Sequence, residues 1–525
     1  MRSVITIVAT VAALVVATAA QAQPNVVLIV TDDQRWETLQ HMPVVQSELV
    51  GKGVLFENAF AVNPLCCPSR ASILTGLYSH STGVWSNVGR RGRNKATGGM
   101  AAFDDRSTLP VWLDAAGYET MFMGKYIHGY RRANVPPTYV PPGWDQWRAF
   151  YGGNGYFNYK ISDGTTLHAF GNTEADYSTD VLAGEAARFI RETADPFFLY
   201  VAPVGPHKSK GFSVSVAPRH VDAFAGAPYT PRPSVNERRV GDKPSRVRNR
   251  GLYTQGQLTQ IREEQLEALL AVDDLVDQIL TALDETGKLG DTLIALTSDN
   301  GHTWGEHRWV GKRMPYEESI RVPLVMRYDA LAQPSRAEPG LALNVDLAPT
   351  IAAAAGAATD RVEGRSLLPL LAGEPTRWRR SFFFEYYDPP LFMPYCGYRS
   401  NSTKYVQYSN GEEELYDLVR DPYELRSKAR RNNLTAAVMA YRSRVERSAC
   451  RPPDFRPLPQ CTRSGTGGAD RLVGTWREDW ICAGRGNDRI LVRGDHRDVV
   501  RCGRGVDRVR ADRHDELRSC EIRLR

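Results

Sequence analysis

The sequence predicts an α/β fold organised around a mostly parallel sheet. Three short apolar runs, rich in β-branched and aromatic residues, have the composition of buried parallel strands. They are residues 25–30 (NVVLIV), 196–202 (PFFLYVA) and 292–297 (TLIALT). Residues 257–286 carry apolar side chains at helical spacing, with charged side chains on the other face. Buried strands that alternate with amphipathic helices are typical of this fold class.

Polar residues follow each of these predicted strands. Asp32 and Asp33 come just after the first strand, and Asp299 and Asn300 come just after the third. His207 lies shortly after the second strand. In open α/β sheets ligands bind beyond the carboxyl ends of the strands, and hard oxygen donors suit calcium or magnesium. A single Asp pair would as readily be a turn or a cap, so the two pairs together favour a metal site.

The N-terminus predicts export from the cell. Arg2 precedes an apolar run at residues 4–16, and residues 20–22 (AQA) form a small-x-small cleavage signal. Residues 1–22 therefore read as a signal peptide, and we expect a secreted protein, extracellular or periplasmic. The alternative is an uncleaved anchor, for which the apolar run is short. No later segment is apolar enough to span a bilayer, so no membrane association is expected after cleavage.

Composition limits the function classes. The chain has 525 residues, 42% of them hydrophobic, and a formal net charge of +6. Its length suits one large domain with appendages. The mild basic bias agrees with anionic substrates, and no basic block typical of nucleic-acid binding is present.

The composition changes near residue 385. Residues 403–408 and 414–416, separated by Asn410 and Gly411, predict a β-hairpin, and residues 436–448 predict a helix. We therefore expect a catalytic domain over residues 23–385 and a smaller α+β subdomain over 386–450. A proline-rich linker follows at residues 451–460.

The tail, residues 461–525, has a different composition again. After Cys461 it contains 15 Arg and no Lys, against 11 acidic residues. A weak Gly-x-Asp-x-apolar rhythm resembles a degenerate hemolysin-type calcium-binding repeat, which builds a β-roll. Many glycines of that repeat are replaced, so the alternative is a β-solenoid that binds no calcium.

Six of the eight cysteines lie in the last third of the chain, where an exported protein is expected to form disulfides. The simplest pairing joins Cys396 to Cys450, and it is completed by Cys461 with Cys482 and Cys502 with Cys520.

Cys66 and Cys67 stand apart, in the stretch PLCCPSRASILTG at residues 64–76. Adjacent cysteines rarely bridge each other, and no partner has zinc-ligand spacing. Pro68 suits the first turn of a helix, which would place Cys66 just before a helix N-terminus. A thiolate is stabilised there, so a nucleophilic cysteine is expected.

The same stretch resembles the sulfatase signature C-x-P-S-R-x-x-x-[LM]-T-G at every fixed position, including Cys66, Pro68, Ser69 and Arg70. In that family the cysteine is oxidised during export to Cα-formylglycine by a formylglycine-generating enzyme or an anaerobic maturase. The resemblance implies that residue 66 and the four polar residues after the first and third strands bind the metal. Calcium is the expected ion, with magnesium as the alternative.

Further residues match the family. Lys125 after Gly124 and Lys312 after Gly311 resemble its two sulfate-binding lysines, and His207 resembles its sulfate-side histidine. The resemblance implies five catalytic residues: Cys66, Arg70, Lys125, His207 and Lys312. No firm role falls to three further histidines: His128, His302 and His307.

The resemblance covers residues 24–450, and the motifs are similar to those of the N-acetylglucosamine-6-sulfatase branch. It implies an alkaline-phosphatase-like α/β/α sandwich that hydrolyses sulfate esters, either aryl sulfates or sulfated carbohydrates such as a sulfated polysaccharide. One hydroxyl of the hydrated aldehyde attacks sulfur, the alcohol leaves, and the second hydroxyl expels sulfate. The alternatives are a phosphonate monoester or phosphodiester hydrolase of the same superfamily and a non-catalytic carbohydrate-binding protein that uses the tail.

Overall fold

The structure is a computed structural model. It describes residues 23–450 apart from residues 89–96, 131–134, 154, 195, 332–334, 389–390, 430–439, 442 and 446–447, and it describes seven strands of the tail. The predicted signal peptide and linker lie outside the described residues, as does most of the predicted helix at 436–448. Among the described residues, no helix has both the length and the apolar composition needed to cross a bilayer.

A ten-stranded sheet forms the centre of the fold, in the order β12-β2-β11-β8-β1-β7-β3-β4-β5-β6. A separate small hairpin pairs β9 with β10. In chain order, β1 to β12 are Asn25–Thr31, Val54–Phe60, Glu119–Gly124, Gln146–Phe150, Lys160–Ser162, Leu167–Ala169, Phe197–Ala202, Thr292–Ser298, Thr303–Trp304, Val310–Gly311, Leu324–Arg327 and Arg336–Leu343.

The sheet is mixed, whereas the sequence predicted a mostly parallel one. The five neighbours β8-β1-β7-β3-β4 are parallel, but β11 runs antiparallel to both β8 and β2. A parallel neighbour of β8 would need a crossover connection, usually a helix packed on the sheet. Residues 299–323 between β8 and β11 instead hold the β9–β10 hairpin and the short helix α7 (Glu317–Ile320), and the chain then returns in the opposite direction.

Helices cover both faces of the sheet, which confirms the α/β/α architecture. Alternate side chains of β1 enter two separate apolar cores: Val26, Leu28 and Val30 in one, Val27 and Ile29 in the other. The first core packs against α1, α3 and α8, and the second against α4 and α6. In chain order, α1 to α9 are Cys66–Thr75, Ser79–Thr82, Leu109–Ala115, Ser178–Glu192, Ser245–Arg248, Gln255–Glu285, Glu317–Ile320, Leu347–Ala354 and Leu368–Leu371.

A four-stranded antiparallel sheet forms the C-terminal part, in the order β13-β14-β15-β16. These strands are Ser381–Asp388, Phe392–Ser400, Thr403–Tyr408 and Glu413–Asp417, and the last two are the predicted hairpin. Phe384 and Tyr395 of this sheet share a core with Phe60 and Tyr316 of the main domain. Cys396 and Cys450 form a disulfide, as predicted.

The tail strands pair in two parallel ladders, β17-β19-β21-β23 and β18-β20-β22. Alternate strands thus join alternate sheets, the arrangement expected of a β-roll-like repeat. The strands are Arg463–Ser464, Arg471–Val473, Trp480–Cys482, Arg489–Leu491, Val499–Arg501, Arg508–Arg510 and Glu516–Arg518. The side chains of the other two predicted disulfides lie outside the described residues, and calcium binding by the tail stays a prediction.

Candidate active site

Two adjacent strands bring the acidic residues together. β1 and β8 are parallel neighbours with Thr31 opposite Ser298, so the residues that follow them meet at one edge of the sheet. The Asp299 amide donates to the Thr31 carbonyl at 3.1 Å, and the Asp33 amide donates to Asp299 Oδ1 at 3.3 Å. Asp33 has φ +69°, a left-handed conformation that Asp tolerates better than most residues and that turns the chain away from the sheet.

Asn300 completes this group of oxygen donors. Its side-chain nitrogen donates to Asp33 Oδ1 at 2.6 Å and to the Gly301 carbonyl at 2.9 Å. These bonds orient the amide and leave Oδ1 as a buried acceptor without a hydrogen-bond partner among the described residues. A buried acceptor in this state is expected to have another partner, such as a cation.

Helix α1 places Cys66 against the acidic residues. The helix begins at Cys66 itself, earlier than the sequence suggested, with Leu65 as its extended N-cap and Pro68 inside the first turn. No side chain of the cap residue closes this end, but the Cys67 amide donates to Asn87 Oδ1 at 2.9 Å. Cys66 is 2% exposed, and its Sγ lies 3.6 Å from Asp32 Oδ1.

Lys125 reaches the site from the end of β3. Gly124 has φ +99°, and a Cβ there would lie 2.1 Å from the Ala202 carbonyl oxygen, so only glycine fits. The Lys125 amide donates to that same carbonyl at 2.8 Å, and its ammonium group contacts Asp32 Oδ2. The glycine before this lysine is therefore required by the close approach of β7.

Lys312 reaches the site from the other side, just after β10. Its Nζ lies 2.5 Å from Asp33 Oδ1 and 2.8 Å from Cys66 Sγ. Both lysines are almost fully buried, so each is held in a cluster of carboxylates rather than in solvent.

Arg70 and His207 complete the set that the sequence predicted. Arg70 Nε donates to Asp299 Oδ2 at 2.8 Å, and its Nη1 donates to the Lys125 carbonyl at 2.7 Å. Nη2 has no partner among the described residues. His207 Nε2 lies 3.7 Å from Asp33 Oδ2, and its side chain is 32% exposed. His207 is therefore the catalytic candidate nearest to solvent.

The charges in the site oppose the cost of burial. Burial alone would raise the pKa of Asp32, but Lys125, His207 and Lys312 hold it well below its usual range. Burial would lower the pKa of Lys312, but Asp33 raises it well above the usual value. The pKa of Asp299 is raised, first by burial and then by the charge of Asp32. A cation among these carboxylates would favour their ionised forms.

The thiol of Cys66 behaves differently from the sequence expectation. Burial raises its pKa, although Lys125 and Lys312 act in the opposite direction. Desolvation therefore acts against the thiolate.

The residues present fit a divalent metal ion. One ligand atom each from Asp32, Asp33, Cys66 and Asp299 lie within 4.8 Å of one another. Asn300 Oδ1 adds the unpartnered oxygen described above. A set dominated by carboxylate and amide oxygens suits a hard cation of the calcium or magnesium type.

The family profile described as Sulfatase matches residues 24–357, which hold every residue of this site. The chain belongs to the sulfatase family. A second profile, described as N-sulphoglucosamine sulphohydrolase, C-terminal, matches residues 305–449. The sulfatase is accordingly a sulfuric ester hydrolase, as the sequence predicted.

Individual relatives agree with this assignment. The sulfatase is 34% identical over 380 residues to the human protein named N-acetylglucosamine-6-sulfatase, an alignment that covers 69% of this chain and 67% of the relative. A solved structure in complex with its substrate D-glucosamine-2-N,6-O-disulfate is similar in fold, with a TM-score of 0.69, 24% identity, and coverage of 81% of this chain and 97% of that chain. The phosphonate monoester hydrolase of Agrobacterium radiobacter is also similar in fold, with a TM-score of 0.66 and 24% identity. That similarity covers 81% of this chain and 95% of the hydrolase. The last two similarities concern the fold alone.

Other residues of the sulfatase site were not predicted. Asn87 holds the start of α1, and the Tyr156 hydroxyl donates to the His207 carbonyl at 2.7 Å. Neither lies in a recognisable motif, because each acts through a contact between segments distant in sequence.

The three unassigned histidines occupy different places in the sulfatase. His302 is fully buried, and neither of its ring nitrogens has a hydrogen-bond partner among the described residues. The His128 amide donates to Cys67 Sγ at 2.9 Å. His307 bonds to Glu237 outside the group of residues that surrounds Cys66.

Proposed function

We propose that this sulfatase removes sulfate esters from sulfated sugars and that Cys66 acts after conversion to Cα-formylglycine. The observation that carries the proposal is the position of Cys66. It lies among three carboxylates and within 2.8 Å of a buried ammonium group, at the end of a helix that presents residue 66 to them. The name of the human relative, N-acetylglucosamine-6-sulfatase, supports a sulfated sugar as the substrate class.

Formylglycine at residue 66 would supply, as its hydrate, one hydroxyl to attack sulfur and a second to expel sulfate afterwards. An unmodified cysteine has no second hydroxyl, and burial raises the pKa of its thiol. The modification would thus solve both difficulties of the native side chain.

Four side chains would hold the divalent cation together with residue 66, and the cation would supply Lewis-acid polarisation of a sulfate oxygen. They are Asp32, Asp33, Asp299 and Asn300. We propose calcium as the resident ion, with magnesium as the alternative.

The chain's own cations act on the transferring group. Ion pairs with Asp32 and Asp33 fix Lys125 and Lys312, so the charges of both lysines are oriented before substrate binds. Preorganised charge of this kind stabilises the negative charge that accumulates on sulfate oxygens in the transition state. Arg70 holds Asp299 and the Lys125 backbone and retains one unpartnered guanidinium nitrogen. His207, on the solvent side, is placed to neutralise charge near the departing alcohol.

We further propose that the enzyme works outside the cytoplasm. The apolar segment at residues 4–16 and the AQA sequence at 20–22 support export. An exported sulfatase would meet sulfated polysaccharides and their fragments as free substrates.

The test compares turnover of four substrates by protein produced with a formylglycine-generating enzyme: glucosamine 6-sulfate, 4-nitrophenyl sulfate, a phosphonate monoester and a phosphate diester. Mass spectrometry of the peptide that contains residue 66 establishes how much of the protein is modified. We expect the sulfated sugar to give the highest kcat/KM. A fully modified enzyme that prefers the phosphonate or the diester would contradict the proposal, and Cys66→Ala gives the background rate.

A further inference from the structure

A second group of metal-ligand side chains lies between the β9–β10 turn and the C-terminal segment. His307 belongs to that turn, Glu318 to α7, and Glu424 to the segment after β16. One ligand atom from each lies within 4.8 Å of the other two. The three side chains are buried, with exposures of 0%, 2% and 1%. None of them belongs to the group that surrounds Cys66.

The ring of His307 is held from two sides. Its Nδ1 lies 2.8 Å from Glu237 Oε2, and its face stacks on Tyr316 with ring centroids 3.8 Å apart. When Nδ1 donates to Glu237, the lone pair lies on Nε2, which is buried and has no hydrogen-bond partner among the described residues. A histidine that donates one nitrogen to a carboxylate and offers the other is the usual form of a metal-binding histidine.

The two glutamates are also oriented. Glu318 Oε1 accepts from Arg232 at 3.2 Å, while its Oε2 is buried and unpartnered within the described part of the chain. Glu424 Oε2 accepts from the Glu317 amide at 2.9 Å. Its Oε1 lies 2.8 Å from Lys404 Nζ, which is equally close to Glu317 Oε1. One ammonium group thus serves two carboxylates.

The surrounding charges leave a negative excess. The buried carboxyl groups of this region are Glu237, Glu306, Glu317, Glu318, Glu414 and Glu424. The basic groups that face them are Arg35, Arg232, Lys243, Arg321, Arg399 and Lys404. Arg35 and Arg232 are also shared with Glu37. A buried excess of negative charge is expensive unless a proton or a cation compensates it.

We propose that His307 Nε2, Glu318 Oε2 and a Glu424 carboxylate oxygen bind a second divalent cation, zinc in preference to calcium. Imidazole nitrogen and carboxylate oxygen are both donors that zinc accepts, and the imidazole distinguishes this group from the all-oxygen sets that calcium prefers. The two glutamates neutralise the ion. The site joins α7 and the β9–β10 turn to the C-terminal segment, so its role is structural.

The experiment measures metal content by mass spectrometry on the full chain after chelation and reloading with zinc, calcium or both. We expect two equivalents when both metals are supplied, one of them zinc. Asp299→Asn should lower the amount of bound calcium and leave the amount of bound zinc unchanged. Glu318→Gln, which preserves side-chain shape, and His307→Gln should weaken zinc binding at least about tenfold and keep the calcium. Exposed His168→Gln serves as the control.

Thermal unfolding provides a second measurement. In the Asp299→Asn background, zinc should raise Tm, and Glu318→Gln should abolish that increase. If His307→Gln does not fold, the proposed zinc site is tested with Glu318→Gln alone. A wild-type chain that binds no zinc, or zinc binding unchanged in both variants, would overturn the proposal. Neither result depends on hydrolysis of a sulfate ester.

Discussion

Lys312 holds its ammonium nitrogen 2.8 Å from the sulfur of Cys66 while it binds Asp33 at 2.5 Å. The two residues are 246 positions apart, and the contact joins the start of α1 to the loop between β8 and β11. A buried ammonium group is therefore fixed beside the residue that the sulfatase signature marks for modification.

Replacement of Cys66 by Ala should remove at least about 10³-fold of the rate with 4-nitrophenyl sulfate, because no nucleophile remains. Cys67→Ser is the matched control, since Cys67 lies in the variable position of the signature and its sulfur only accepts a bond from the His128 amide. Steady-state kinetics of the two variants provide the measurement. Equal losses in both would contradict the assignment of residue 66.

Lys312→Ala should lower kcat by about 10²-fold or more, because the charge beside the transferring group is lost. Lys52→Ala, an exposed lysine paired with Glu48, should leave kcat unchanged. Thermal unfolding checks that Lys312→Ala is folded. A change confined to KM would mean that Lys312 binds the ground state and the transition state equally.

Asn300→Ala should weaken calcium binding at least about tenfold, because it removes an oxygen donor and the bond that orients Asp33. Calorimetric titration of the chelated protein measures the affinity. Asn410→Ala, in the exposed hairpin turn, is the control. Unchanged calcium affinity in Asn300→Ala would exclude Asn300 as a ligand.

His80 should make the sulfatase less stable as the pH rises through the neutral range. Burial acts to lower the pKa of His80, but Glu385 and Glu363 outweigh it and raise the pKa above the usual value. A raised histidine pKa stabilises the folded state below the unfolded pKa of about 6.5, and that stability is lost as the pH passes the folded pKa. The difference in Tm between wild type and His80→Gln should therefore be larger at about pH 6 than at about pH 9. A difference in Tm that increases with pH would contradict the expected pH dependence.

Truncation after Pro459 should leave hydrolysis of 4-nitrophenyl sulfate unchanged. Each residue of the proposed site, and the Cys396–Cys450 disulfide, precede that position. Kinetics and thermal unfolding of the truncated chain against the full chain measure the effect. A folded truncated protein with reduced kcat would show that the tail supports the catalytic domain.

Much of the site could be predicted because its residues occupy short motifs next to clear strands. Asp32 and Asp299 follow apolar runs that became β1 and β8, and the rule for parallel sheets places them together without knowledge of side-chain contacts. Cys66, Lys125 and Lys312 came from the family resemblance. Their convergence on one cluster agrees with it.

Features that depend on long-range packing could not be predicted. The raised pKa of the Cys66 thiol results from burial by segments far from α1, whereas the local sequence indicates only a helix N-terminus that favours a thiolate. The antiparallel β11 depends on the path of residues 299–323. The Glu237–His307 pair joins the irregular segment before α6 to the β9–β10 turn. The local sequence around either residue gives no indication of this contact.

The burial of Cys66 also determines when it can be modified. At 2% exposure, beneath Lys312 and against Asp32, the side chain offers no access for the active site of another protein. An enzyme that oxidises it must therefore act on the nascent or unfolded chain, before β1 and β8 associate. Under the proposed conversion, folding and modification would compete, and their relative rates during biosynthesis would set the fraction of active molecules.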